Sequence, residues 1–380
     1  MSEFKSSNFT NEDNSGGPDL VGVTTFTSPY YFVPPSGTTA ERPSGDGLAP
    51  GMLRFNTDIG RLETWRGDHW ATILGESPNL NGGARGLFMG GLFPGSTVST
   101  VDYVTISTLG DGQDFGDLSA GRRIGAGFAS ATRAVAAGGL QDPANVSTIE
   151  YFTISSTGDA TSFGNLANIK RSNGGLANST RGISFGGTPV SQIEYVTIAS
   201  TGTRGEFGNL SNAPLSAQTY GSASPTRGLM SGGETPGQVS NIDYITISTT
   251  GNAQNFGNLS GNRSGHCAVS NSTRILFAGG ESGPAFINII EFVTTATLGN
   301  TQDFGDLSNV RRQSGTASSP TRGLIAGGGN DTPASNTAYN IIDYVTLSTT
   351  GNGIDFGDLQ AGQARWQIMN GTVSNGHGGL

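Results

Sequence analysis

The sequence predicts an all-β fold, a six-bladed β-propeller of four-stranded blades, and three observations carry that expectation. First, one motif recurs six times from residue 78 onward: an Arg, an apolar run closing on Gly-Gly, a loop, an alternating run opened by an acid, and Phe-Gly-Asp/Asn-Leu. Its Arg is Arg85, Arg133, Arg181, Arg227, Arg274 and Arg322, a period of 48, 48, 46, 47 and 48 residues, which lies in the range of repeat architectures. Second, the internal spacing is rigid except in one place. Arg to the second Gly of the doublet is six residues in all six copies. From each acid (Asp102, Glu150, Glu194, Asp243, Glu291, Asp343) to its Phe (Phe115, Phe163, Phe207, Phe256, Phe304, Phe356) is thirteen in all six. Doublet to acid runs 11, 11, 7, 10, 11 and 15, so length change is confined to one loop. Third, the first copy lacks the small-residue run that precedes every other Arg, while the chain finishes with an unpartnered run, residues 365–374. That run is expected to supply the innermost strand of the first blade, closing the ring and leaving no sheet edge open to other chains.

Taken in order, each copy reads as four strands. A small-residue run such as Arg123-Ile-Gly-Ala-Gly-Phe-Ala-Ser130 comes first, and the apolar run to Gly-Gly second. The alternating Ile149-Glu-Tyr-Phe-Thr-Ile-Ser155 is third, and the Phe-bearing segment, after a Gly-containing turn, is fourth. Period-two alternation, β-branched residues and Gly or Asn punctuation are strand and hairpin signals. Four-stranded antiparallel units repeated radially make a propeller. The order of elements resembles the kelch repeat over residues 78–380, with one departure: the aromatic of the fourth strand is Phe in all six copies where the family has Trp.

Upstream, residues 1–46 read as an extended arm and linker. Its patches Leu20-Val-Gly-Val-Thr-Thr-Phe26 and Tyr30-Tyr31-Phe32 are too short for a core of their own. They are expected to dock on another chain, with packing on the same chain as the alternative. Residues 47–77 read as a three-stranded meander, Met52–Asn56, Arg61–Arg66 and Trp70–Leu74, marginal alone and in need of cover over Trp65 and Trp70. The string Ala49-Pro-Gly-Met-Leu-Arg-Phe-Asn-Thr-Asp-Ile-Gly-Arg-Leu-Glu63 with Trp65-Arg-Gly-Asp-His-Trp70 resembles a short module of tailed-bacteriophage virion proteins, and the arm is similar to the starts of such proteins in cyanophages. The resemblance implies a part, such as a tail fibre or neck protein, made in the host cytoplasm and built into the virion. It further implies that residues 1–77 attach to other virion proteins, with a distal domain for the host surface; a capsid or tail decoration or spacer without a ligand, and a glycan-degrading enzyme, are the alternatives. Phe26, Tyr30, Tyr31, Phe32, Trp65 and Trp70 are the expected assembly contacts, in a homo-oligomer.

Composition narrows the function. Net charge is −9 with no basic run, unlike a nucleic-acid binder, which needs clustered Lys and Arg. A lone Cys267 excludes a disulfide framework and a cysteine zinc site, and no apolar run approaches the eighteen or so residues of a membrane span. With three histidines, His69, His266 and His377, no convergent metal or oxidase site is expected, and no carboxylate pair stands out from the repeat, so neither a cofactor nor an enzymatic activity is expected. The Asp/Asn alternation of the fourth strand suits Asx hydrogen bonding rather than calcium. The six Arg and six acids are read as structural, pairing within or between blades. The variable loops, ringed on one face of a rigid scaffold, are the expected binding surface for a host glycan or protein, with Phe93, Phe286, Asn330, Asp331 and Tyr339 as candidate contacts. Unconstrained drift of surface loops is the alternative.

Overall fold

The structure, a computed structural model, describes residues 34–73, 84–93, 95–188, 191–202, 204–211, 218, 220–234, 236–332, 335–360 and 363–380, and of residues 331, 332, 335 and 336 the backbone alone. The described residues are all-β with no helix. The chain divides into two compact units, 1–77 and 78–380.

In the larger unit every repeat makes one antiparallel sheet, and the strands fall where the spacing puts them. The third repeat pairs Gly174–Ala177, Arg181–Phe185, Gln192–Thr197 and Arg204–Asn209 in chain order. Five repeats have such four-stranded sheets. The first repeat has three ladder strands, Arg85–Met89, Thr100–Thr105 and Gln113–Asp117. Beside Arg85–Met89, where the other repeats have their first strand, the chain's end runs through single bridges instead of a regular strand. Leu87 N–H donates to Val373 O at 2.9 Å, Met369 N–H to Met89 O at 3.1 Å, and Gly86 bridges Ser374. Residues 365–374 are irregular because they serve two sides at once. Asn370 also bridges Ala126 of the second repeat and Thr372 bridges Thr316 of the sixth, while the Thr372 hydroxyl reaches Ser222 of the fourth and Ala268 O of the fifth.

Apolar burial follows the same order. Six core clusters each join the sheets of two successive repeats, and the cluster with Phe88, Ile106, Leu324 and Phe356 joins the sixth to the first. Two glycine positions permit this packing. The first Gly of each doublet takes φ near 60°, a left-handed conformation that turns the chain out of the sheet, and at Gly90 a Cβ would lie 2.2 Å from Arg122 O. The Gly of Phe-Gly-Asp/Asn-Leu meets the next repeat's turn. A Cβ on Gly116 would sit 2.4 Å from Gly158 O, and one on Gly357 2.5 Å from Gly110 O, the sixth repeat against the first.

One feature carried no sequence signal. Ile124, Ser172, Gln218, Gly265, Gln313 and Gln367, one per repeat, all have φ between 46° and 63°. Ser172 N–H donates to Ile124 O, Gln218 to Ser172, Gly265 to Gln218 and Gln313 to Gly265, and Ile124 donates to Gln367. Five of the six are not Gly and pay a steric cost of roughly 1 kcal/mol each, offset by the chain of backbone hydrogen bonds.

The smaller unit differs from its expectation in two ways. It is a four-stranded sheet, because Ser36–Gly37, expected in the arm, pairs in parallel with Leu53–Asn56 ahead of Arg61–Trp65 and Trp70–Thr72. Its buried face is polar. Glu63 accepts from Arg42, Arg54 and Asn56, and Trp70 Nε1–H donates to Pro43 O at 3.0 Å. Residues 34–46 therefore belong to this module. Phe26, Tyr30, Tyr31 and Phe32 lie outside the described residues.

Candidate functional site

The repeat Arg residues do not meet the repeat acids, which corrects that expectation. Each Arg lies over the aromatic ring of its own third strand: Arg85 over Tyr103 at 5.0 Å, Arg133 over Tyr151 at 4.3 Å, Arg181 over Tyr195 at 4.7 Å, Arg227 over Tyr244 at 5.0 Å, Arg274 over Phe292 at 4.7 Å and Arg322 over Tyr344 at 4.9 Å. Each then donates from Nη1 to a carbonyl of the following repeat: Arg85 to Ile154, Arg133 to Ile198, Arg181 to Ile247, Arg227 to Thr295, Arg274 to Leu347 and Arg322 to Ile106. A long cation whose donors fit two demands at once, ring face and carbonyl, explains why Arg and not Lys recurs.

The acids bind a second set of cations that the sequence reading missed: Arg122 with Glu150, Lys170 with Glu194, Arg263 with Glu291, Arg311 with Asp343, and Arg365 with Asp102. In four of these copies the cation follows the Phe by seven residues, and Phe356 to Arg365 is nine. Arg311 is representative. Its Nη2 meets Asp343 at 2.6 Å and its Nη1 donates to Gly327 O and Ile341 O. Asp343 also accepts from Ser308 N–H at 2.9 Å. Burial pulls the Arg122, Arg263, Arg311, Arg365 and Lys170 cations below their ordinary range, partly opposed by the facing carboxylate. Burial likewise raises Asp102 despite Arg365. At Glu291 burial is the largest single influence, yet Arg263 and the Ser260 and Thr301 donors together win, and the carboxyl is lowered. Asp243 is held by Ser211 and Asn241. All twelve repeat charges thus serve the junctions between sheets.

Four of the six variable loops form small hairpins: Leu92–Phe93 with Ser96–Thr97, Leu140–Gln141 with Ala144–Asn145, Glu281–Ser282 with Ala285–Phe286, and Gly329–Thr332 with Ser335–Ala338. Three of them converge on Trp366. Leu92 exchanges backbone hydrogen bonds with it, at 2.7 and 3.2 Å. A Cβ on Gly329 would lie 3.1 Å from its Cβ. The Arg312 guanidinium lies 5.9 Å from its ring and 5.2 Å from that of Phe286, and is ion-paired to Glu281 at 2.5 Å. Phe93, Phe286 and Tyr339 are half-buried, and Tyr339 O accepts from Arg365 N–H at 3.1 Å. Asn330 Oδ1 is buried without a hydrogen-bond partner. Of Asp331 only the backbone, paired to Asn336, is described. Neighbouring hairpins are also tied together: Thr97 and Arg123 both bind Asp142, and Gln238 accepts from Gly283 N–H at 2.6 Å. Trp366 and Arg312 are residues that sequence reasoning had assigned no part in this face.

The remaining groups are structural. His266 is buried between Tyr220 and Phe277, its Nε2 2.8 Å from Ser231 Oγ, and burial holds its pKa well below the ordinary histidine value. His377 is buried with Nε2 2.7 Å from Ala129 O, and burial lowers it to about 4. Burial pushes the Cys267 thiol up to about 12, which leaves it without thiolate character. Among the described residues no group of three or more His, Cys, Asp or Glu side chains is placed to hold a metal ion. Trp65 and Trp70 are half-buried, ring centroids 5.6 Å apart. The chain matches no known family model and no curated protein.

Proposed function

We propose that residues 78–380 form a six-bladed β-propeller closed on itself, and that the chain is a non-enzymatic structural component of a tailed-phage virion, a tail fibre, neck or other appendage. In this reading residues 1–77 attach to other virion proteins in a homo-oligomeric assembly, and the propeller is displayed to a glycan or protein of the host surface. Closure is supported by three contacts that recur from the sixth repeat to the first as they do between successive repeats: the Arg322 to Ile106 bond, the Gly357 to Gly110 approach and the shared apolar cluster.

The observation that carries the functional reading is the contrast between a scaffold of constant spacing and one loop per repeat whose length runs from 7 to 15 residues, with the loops of the first, fifth and sixth repeats meeting at Trp366. Rigid support under divergent loops is the layout of a recognition surface, and repeated weak contacts summed over many copies give avidity. A spacer without a ligand is the second reading, favoured by the bonds between hairpins, which use up polar atoms that a ligand would need. Binding of the labelled full-length chain to candidate host cells separates the two. Host recognition predicts binding that weakens when residues 329–341 are shortened, whereas no binding to any host, even after multimerisation, leaves the spacer.

A further inference from the structure

The opposite ends of the sheets, away from the variable hairpins, carry a second and independent set of hollows. They lie beside the turn joining the third and fourth strands. The first repeat has one of about 210 Å³ lined by Arg85, Tyr103, Thr105, Thr108, Leu109 and Gln113. The fourth repeats it at about 160 Å³ with Tyr244, Thr246, Thr249 and Gln254, and the fifth at about 140 Å³ with Phe292, Thr294, Thr297, Leu298 and Gln302.

These three repeats are the ones in which the fourth strand opens with Gln, directly across the ladder from the aromatic residue: Tyr103 with Gln113, Tyr244 with Gln254, Phe292 with Gln302. In the first and fourth, the Tyr hydroxyl donates to Gln Oε1 at 2.7 and 2.6 Å. That bond fixes the amide and leaves its two N–H donors facing away from the ring. The charged groups nearby are already engaged. Arg85 Nη1 is held by Ile154 O. Asp111 accepts from Asp358 N–H at 3.0 Å, and its equivalents Asn252 and Asn300 accept in the same way from Asn209 and Asn258. What each hollow offers a ligand is mostly neutral: an amide and two threonine hydroxyls, with an exposed apolar side chain in the first and fifth repeats, Leu109 and Leu298 at 58% exposure each, where the fourth has Thr250, and with the Asp111 carboxylate at the edge of the first. Convergent neutral donors beside an apolar patch suit a molecule with several hydroxyls and a C–H face.

We infer that the first, fourth and fifth repeats carry related but not identical shallow subsites for neutral sugar rings, centred on Gln113, Gln254 and Gln302, so that one chain is a trivalent glycan binder. The inference rests on the host-surface reading and supplies its ligand class, on the opposite face from the hairpins. The sixth repeat has a hollow of about 530 Å³ at the same place, lined by Thr346, Thr349, Thr350 and Ile354, so the hollow itself does not depend on Gln and that repeat is the control for the amide; the second and third repeats also lack the amide. Thr161 and Ile354 stand at the same place, and at Gly205 a Cβ would lie 2.4 Å from the Tyr195 ring. Each subsite alone binds weakly, with Kd on the order of 1 mM, and three on one body raise the apparent affinity by roughly 10² or more on a dense surface.

The test uses the full chain against immobilised neutral hexose polymers (glucan, galactan, mannan), with free glucose, galactose and mannose as competitors. Retention on at least one polymer is expected. It should fall at least tenfold in the Gln113→Ala, Gln254→Ala, Gln302→Ala triple variant, with an unchanged melting temperature, and persist in a Thr161→Ala, Ile354→Ala variant. Retention of none of the polymers by the wild-type chain, or equal retention by the triple variant, overturns the inference. Host-cell binding by the same proteins keeps the two readings apart: cells bound equally by wild type and triple variant overturn the subsites and leave host recognition standing.

Discussion

The two units of this chain bury opposite things. In residues 84–380 the interior is apolar, cluster after cluster of Leu, Ile, Val and Phe between sheets, and the buried charges are paired at repeated places along the junctions. In residues 34–73 the covered side of the sheet holds Arg54, Asn56 and Glu63, at 4%, 0% and 0% exposure, while Met52, Leu53, Ile59, Leu62 and Ile73 stand 38–49% exposed. A sheet of this size cannot bury enough apolar surface to stand alone. Its polar side is satisfied locally by residues 34–46, and its apolar side chains stand at the surface. Among the described residues the large unit packs its apolar side chains between its own sheets, and the small one does not. The attachment role proposed for residues 1–77 would give those exposed side chains a partner.

Breaking one buried pair in the large unit tests its self-sufficiency most severely. Arg311→Met leaves Asp343 buried without its cation, which costs about 3–5 kcal/mol and is read as a fall in the chemical-denaturation midpoint. Adding Asp343→Asn should recover part of the loss, since Ser211 and Asn241 satisfy the equivalent Asp243 with neutral donors. A single variant as stable as wild type would mean that the junction charges do not hold the sheets.

A smaller effect separates the units by pH. His377 is buried in the large unit with its pKa lowered from 6.5 to about 4, whereas His69 of the small unit is exposed beside Asp68. A histidine held neutral in the fold is protonated more readily when unfolded, so its contribution is fully present above pH 6.5 or so and is lost as pH falls toward 4. The shift amounts to roughly 3 kcal/mol. Melting temperature of the full chain should therefore fall between those pH values, and His377→Asn should flatten that slope. Equal slopes in wild type and His377→Asn would show that His377 is not buried neutral.

Much of this architecture was legible because strand register and repeat phase are local. Gly doublets mark strand ends, alternation marks the third strand, and the 18–20 residues from Phe to Arg leave room for one further strand. The partners of the charges were not legible. Arg133 and Glu150 recur in phase, yet the Arg reaches across to the next repeat, and the cation for Glu150 is Arg122, ahead of its own first strand. A base seven residues after Phe was the available signal, blurred by the nine-residue step to Arg365 and by the fourth copy, where Pro214 stands at that place. In the small module the three strands were legible, but which side lay inside was not, because the cover comes from residues 34–46, which the pattern had assigned to the arm. The left-handed positions such as Ile124 and Ser172 gave no hint at all, since their conformation is imposed by neighbouring repeats and not by their own side chains.

Whether the proposed ring is closed can be read from backbone amide hydrogen exchange of the full chain. The turn Gly of five repeats donates to the Phe carbonyl of the preceding one: Gly158 to Phe115, Gly251 to Phe207, Gly299 to Phe256, Gly351 to Phe304, and Gly110 to Phe356 across the joint between the last repeat and the first, at 2.7–2.9 Å. A closed ring predicts protection of Gly110 equal to that of the other four. Rapid exchange at Gly110 alone, with the other four protected, would mean that the ring is open at its seam.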